Sequence, residues 1–182
     1  MPEVDLPPRA DTAATEPLRF LRVFEVHDLA AAAIPGPYEQ VDRALYVTAS
    51  LTGLRQGELR GLPWECVDLT AQRVRVVHNI VRGRRTTPKS GKMRSVPLAP
   101  QVVAELEALR EQSRWTRPTA PVFADFATGQ PIARTPLMER YRKALVAAGL
   151  DEQFRFHDLR HTFGTYLAMA GVDVVTIQEY MG

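Results

Sequence analysis

One cysteine, Cys66, stands in 182 residues, so an internal disulfide is excluded and the fold must rest on its apolar core. Set between Glu65 and Val67 just after Trp64, that thiol reads as a packing residue rather than a nucleophile. Long apolar runs are lacking too: no stretch reaches the roughly 20 residues that a helix needs to span a bilayer. The N-terminus, MPEVDLPPRADTAATEP, has neither the basic start nor the apolar centre of a signal peptide. These absences make a cytoplasmic protein without membrane contact the expectation. What is present is a 45% hydrophobic content, enough for the core of one domain.

Net charge is only +2, but it is unevenly spread. Residues 1–72 hold 6 basic and 11 acidic side chains, residues 73–94 hold 8 basic and none acidic, and residues 95–182 hold 9 and 10. The basic charge is therefore gathered in one short segment. Arg73, Arg75, Arg82, Arg84, Arg85, Lys89, Lys92 and Arg94, with His78 among them, make a patch suited either to nucleic-acid phosphates or to a solvated hairpin tip.

Along the chain, residues 1–23 carry prolines with small and acidic residues and read as a linker or tail, leaving 24–182 as the domain. Val26, Leu29, Ala30 and Ala33 predict a first helix, and a second runs from about Tyr38 until Gly53 ends it. In TGLRQGELRGLPWECVDL, Arg55 and Glu58 lie three apart on a short helix anchored by Leu54, Leu59, Leu62 and Trp64, so the acid can hold the guanidinium in place; a surface ion pair is the plainer alternative. Alternation through Val74, Val76, His78 and Ile80 predicts a strand. The turn-rich GRRTTPKSGKM and a second strand at Arg94–Leu98 complete a hairpin with Lys89 at its tip or rim. Two more amphipathic helices follow, over 101–114 and 135–149, the latter with Arg140, Arg142 and Lys143 outward. The whole predicts a mainly α fold with a small antiparallel β-sheet.

The last strong feature is FHDLRHTFGTYLAMAG, from Phe156 to Gly171. Leu159, Phe163, Tyr166, Leu167 and Ala170 recur at helical spacing, while His157, Arg160, His161 and Thr165 crowd the N-terminal end. Unpaired N–H groups and a partial positive charge at a helix start, beside a protonatable His and a fixed Arg, suit an anion such as phosphate. His157 and His161 are also four apart, as in zinc sites, but Asp158 replaces the glutamate of the zinc-protease motif, Arg160 repels a cation and no third ligand declares itself.

In order, TGLRQGELRGLPW, PKSGKMRSVPL and HDLRHTFGTYLAMAG resemble the catalytic domain of the tyrosine recombinases, the phage-integrase family of site-specific DNA recombinases. The resemblance runs from about Phe24 to Gly182. It implies that Arg55, Lys89, His157 and Arg160 are catalytic, with Glu58 and His161 supporting. The two arginines would donate to the non-bridging oxygens of a scissile phosphate, the lysine would protonate the leaving oxygen, and the histidine would assist proton transfer. It further implies contacts to double-stranded DNA from Arg82, Arg84, Arg85, Lys92 and Arg94, other recombinase protomers as partners, and no metal or cofactor.

The chain departs from the family pattern at its end. After VDVVTIQEYMG the family carries a further His or Trp and then its nucleophilic tyrosine, and Tyr180 falls where the family has an apolar core residue. The expectation is therefore that this chain contains no nucleophile, binds DNA phosphates and does not itself cleave and rejoin strands. The alternatives are a non-catalytic DNA-binding remnant or regulator and, from the histidine pair, a metallohydrolase.

Overall fold

The structure is a computed structural model, and it describes residues 19–81, 83–86 and 93–182. Arg82, Lys89 and Lys92, three of the expected site residues, lie outside the described residues. Helices α1 (Val23–Ala31), α2 (Glu39–Thr52), α3 (Gln56–Arg60), α4 (Pro100–Gln112), α5 (Arg134–Ala147), α6 (Asp158–Met169) and α7 (Val174–Met181) surround one apolar core. The strands are β1 (Val67–Asp68), β2 (Arg73–Val76), β3 (Asn79–Val81), β4 (Arg84–Thr86) and β5 (Arg94–Pro97). Among the described residues no helix is long and apolar enough to cross a membrane.

The core forms around α2, which is buried nearly all round: Ala44, Leu45, Tyr46 and Val47 are all enclosed. Its buried hydroxyls turn back onto the helix, Thr48 to the Ala44 carbonyl and Thr52 to that of Thr48. Asp42, fully buried at its start, receives two donors from Arg140 of α5. That corrects the expectation for Arg140: its guanidinium does not face outward but lies over the Tyr38 ring, 4.2 Å from its centroid. An uncompensated carboxylate at this depth would cost several kcal/mol, roughly 3–5.

The predicted single hairpin is two separate pieces. β2 pairs antiparallel with both β1 and β5, Val74 facing Val96 in register, while β3 and β4 make their own two-stranded ladder with Ile80 opposite Arg85. The segment that reads as turn-rich therefore contains a strand, Arg84–Thr86. Propensity misses it because Arg84, Arg85 and Thr86 are all exposed and show no apolar alternation.

The start of the packed body also needs correction. Within the expected linker 1–23, Leu21 is buried, its N–H donates to Thr162 Oγ1 at 3.0 Å and its carbonyl accepts from Tyr166 Oη at 2.8 Å. Arg19 pairs with Asp151 at 3.1 Å. At the far end of α6, Ala170 is exposed rather than inward.

α3 is held where it is by a close approach. A Cβ on Gly57 would stand 2.7 Å from the Ile80 carbonyl and 2.1 Å from Asn79 Oδ1, so only glycine lets the helix meet β3. Gly57→Ala should therefore push α3 off β3 and destabilise the fold by about 1–3 kcal/mol in chemical denaturation; parent-like stability would contradict this contact.

Candidate anion site

Glu58 organises the site. Its side chain has no exposed surface, and it is the third residue of α3, where its Oε2 accepts the N–H of the N-cap residue Arg55 at 2.8 Å. Its Oε1 accepts Arg55 Nη1 at 3.1 Å. The sequence-level choice between a surface ion pair and a held guanidinium is thus decided by burial: the acid is inside, and Arg55 is 31% exposed at its side chain.

A second arginine completes the pairing. Arg94 donates Nη1 and Nη2 to Glu58 Oε1 and Oε2 at 3.0 and 2.6 Å, and its Nε to the Tyr180 carbonyl at 2.8 Å. The expectation that Arg94 sits with the DNA-facing cations is corrected here, because its side chain is only 8% exposed and points inward. The signal was available: Arg94 and Val96 alternate onto one face of β5, and Val96 is fully buried. Burial pushes the Glu58 carboxyl up, but the Arg94 hydrogen bonds, the Arg55 N–H and both guanidinium charges outweigh it and leave it below its ordinary value.

Arg160 comes from the first turn of α6 and is buried. Its Nη1 donates to the carbonyl of Gly53, the left-handed residue (φ 63°) that ends α2. Gly53 in turn packs under the Phe163 ring, where a Cβ would stand 2.5 Å from Cδ1. Burial, then repulsion from Arg55 and Arg94, lowers Arg160 to about 10, still charged at neutral pH. Arg160 Nη2 and Arg55 Nη2 both donate to one oxygen, the Gly182 carbonyl, at 3.4 and 2.5 Å. Three guanidiniums against one carboxylate leave the cluster with excess positive charge.

His157 is the N-cap residue of α6 and is exposed. Burial of part of its ring, then the neighbouring His161 and Arg160, lower its pKa from the ordinary histidine value. The two imidazoles meet edge to face with centroids 5.1 Å apart. Asp158, buried beside them, accepts the Arg155 N–H at 2.8 Å and its guanidinium at 3.0 Å, which fixes the entry into α6. A cavity of about 630 Å³ opens next to His157, with Gln56, Arg134, Arg142 and Arg155 on its walls. Among the described residues no group of three or more His, Cys, Asp or Glu side chains is placed to hold a metal ion, so the histidine pair finds no third ligand.

The structure therefore brings Arg55, Glu58 and Arg160 together, adds Arg94 to them, and sets His157 and His161 at the adjoining helix start. Arg84 and Arg85 lie apart on exposed β4. Cys66 is buried, and burial raises its thiol pKa, as suits packing. Tyr180 is half-buried on α7 and contributes its backbone carbonyl to Arg94.

The stabilisation from Glu58 is fully present above its ordinary pKa of 4.5 and is lost as pH falls through the lowered folded value. Glu58→Gln should lower stability near neutral pH by about 3 kcal/mol and flatten part of the decline below about pH 4.5. Denaturant melts across that range check this; an unchanged acid limb would contradict it.

Comparison with known proteins places this arrangement. The model of the phage integrase family matches residues 19–182. A XerC-like tyrosine recombinase of Caldanaerobacter subterraneus is 32% identical across 77% of this chain and 42% of its own length. The XerD tyrosine recombinase of Vibrio cholerae is 31% identical across 87% of this chain and 51% of its own. The chain thus spans about half the length of these curated relatives. Among solved structures, XerA recombinase superposes with a TM-score of 0.70 at 26% identity, over 90% of this chain and 55% of that one. The Tn1549 transposon integrase bound to transposon right-end DNA has a TM-score of 0.75 at 22% identity, over 92% and 58%, and shares the fold. By its family model, its relatives and its mainly α fold with small antiparallel sheets, the chain belongs to the phage integrase family of tyrosine recombinases.

Proposed function

We propose that residues 19–182 form the phosphate-holding core of a site-specific DNA recombinase, acting on a phosphodiester of double-stranded DNA. The observation that carries this reading is the gathering of Arg55, held by the fully buried Glu58, and the buried Arg160, held by the Gly53 carbonyl, close enough for their charges to repel. An oxygen of a phosphodiester can take both donors there. As negative charge grows in a pentavalent transition state, two fixed guanidiniums stabilise it more than they stabilise the ground state. Arg160 gains most, because its charge is now opposed by burial and by two like neighbours.

In this reading His157, at the helix start beside Arg160, exchanges a proton at the reacting phosphate, and its lowered pKa keeps it able to accept one near neutral pH. Lys89 is assigned the leaving oxygen by the resemblance alone. Arg84 and Arg85 contact the flanking phosphate backbone; among the described residues neither carries an ion pair. The names of the relatives support the assignment: they are tyrosine recombinases, and the Tn1549 integrase is seen on DNA. The protein then works in the cytoplasm, where the DNA is, together with further recombinase protomers.

Duplex DNA should be bound with an affinity that falls steeply as salt rises, the log–log slope carrying about −0.9 per phosphate neutralised. Replacing Arg84 and Arg85 together by Ala should make that slope shallower by about 2. Anisotropy titrations at several salt concentrations measure both. Absent or salt-independent binding would contradict the reading.

A further inference from the structure

Arg94 is an arginine of the basic segment whose guanidinium is wholly engaged inside the molecule. It meets both oxygens of Glu58 and the carbonyl of Tyr180. Glu58 Oε1 is shared between Arg94 Nη1 and Arg55 Nη1, and Oε2 between Arg94 Nη2 and the Arg55 N–H. A fully buried carboxylate with Arg55 as its one cation would draw that guanidinium wholly onto itself, because buried charge demands neutralisation and donors on both oxygens. With Arg94 supplying a whole charge and two donors, Arg55 engages Glu58 through Nη1 and keeps Nη2 for an acceptor on the other side, the Gly182 carbonyl here.

We infer that Arg94 is a positioning residue: by satisfying Glu58 it leaves Arg55 a guanidinium edge with which to take a phosphate oxygen, and by holding the Tyr180 carbonyl it seats the end of α7 against Arg55 and Arg160. This rests on the phosphate-binding reading of those two arginines. Arg94 thus ties together β5, α3 and α7, three elements distant in sequence. A cation on the rim of the molecule could not do this, since it would reach neither Glu58 nor the core side of α7.

The test uses Arg94→Gln, Arg94→Lys, Glu58→Gln and the double variant Arg94→Gln with Glu58→Gln, each checked for a parent-like circular dichroism spectrum. The readouts are the NMR titration of the Glu58 carboxyl carbon, the Arg55 Nε–H line position, and affinity for mixed-sequence duplex DNA. Arg94→Gln should raise the Glu58 titration, shift the Arg55 line and weaken duplex binding about tenfold. Arg94→Lys, which returns the charge, should bring the Glu58 titration back down. In the Glu58→Gln background the Arg94→Gln change should cost less than about a further twofold. Equal losses in both backgrounds with an unmoved Glu58 titration would overturn the proposal, since Arg94 would then touch DNA itself or merely support the fold. If the parent chain binds no duplex, the functional reading fails instead, and the Glu58 and Arg55 signals still decide the clamp: both unmoved in Arg94→Gln overturns it, both shifted upholds it. Should Arg94→Gln not fold, Glu58→Gln against the double variant decides, a further loss above about fivefold overturning the proposal and no further loss upholding it.

Discussion

A carboxylate with no exposed surface sits at the centre of a dense charge cluster, and the local fold follows from the need to neutralise it. Glu58 can ionise there only because α3 begins at Arg55, so that the N-cap N–H and guanidinium both reach it, and because β5 delivers Arg94 to its other edge. Removing either cation leaves the buried acid one partner in place of two, which costs more than an exposed ion pair contributes. The acid in turn lets two like-charged groups stand side by side with a third, Arg160, nearby. The surplus positive charge that results is the property the site offers to an anion.

The scaffold around the cluster is built from backbone more than from side-chain chemistry. Gly53 ends α2 in the left-handed region and turns its carbonyl to Arg160, while the Phe163 ring closes over it. Gly57 lets α3 approach β3 within a distance no side chain allows. Leu21 and Thr162 tie the N-terminal segment to α6. A second buried pair, Asp42 with Arg140, locks α2 to α5, whose Arg134, Met138, Tyr141 and Arg142 line the cavity beside His157. These are rigid elements, and they hold the guanidiniums in place before any ligand arrives.

Much of this is legible in the sequence where short-range pattern decides the outcome. Helix spacing finds α1, α2, α4, α5 and α6 within a few residues, and the three-residue separation of Arg55 and Glu58 foretells their pairing. What pattern could not supply is depth. Arg140 and Arg94 read as outward cations because charge suggests solvent, yet each answers a buried acid from a distant part of the chain. β4 is invisible because an exposed Arg-Arg-Thr has no apolar alternation, and its strand exists only by pairing with β3. The hold of Arg160 on the Gly53 carbonyl, 107 residues away, is a tertiary fact with no sequence signal.

In the proposed function Arg55 and Arg160 jointly hold one phosphate of DNA. The most direct measurement is the distance from each guanidinium to the nearest phosphate oxygen in a crystal structure of this chain on duplex DNA. A single phosphate should lie within hydrogen-bonding reach of both, about 3 Å. Finding no phosphate within reach of both arginines, with the DNA lying elsewhere, would contradict it.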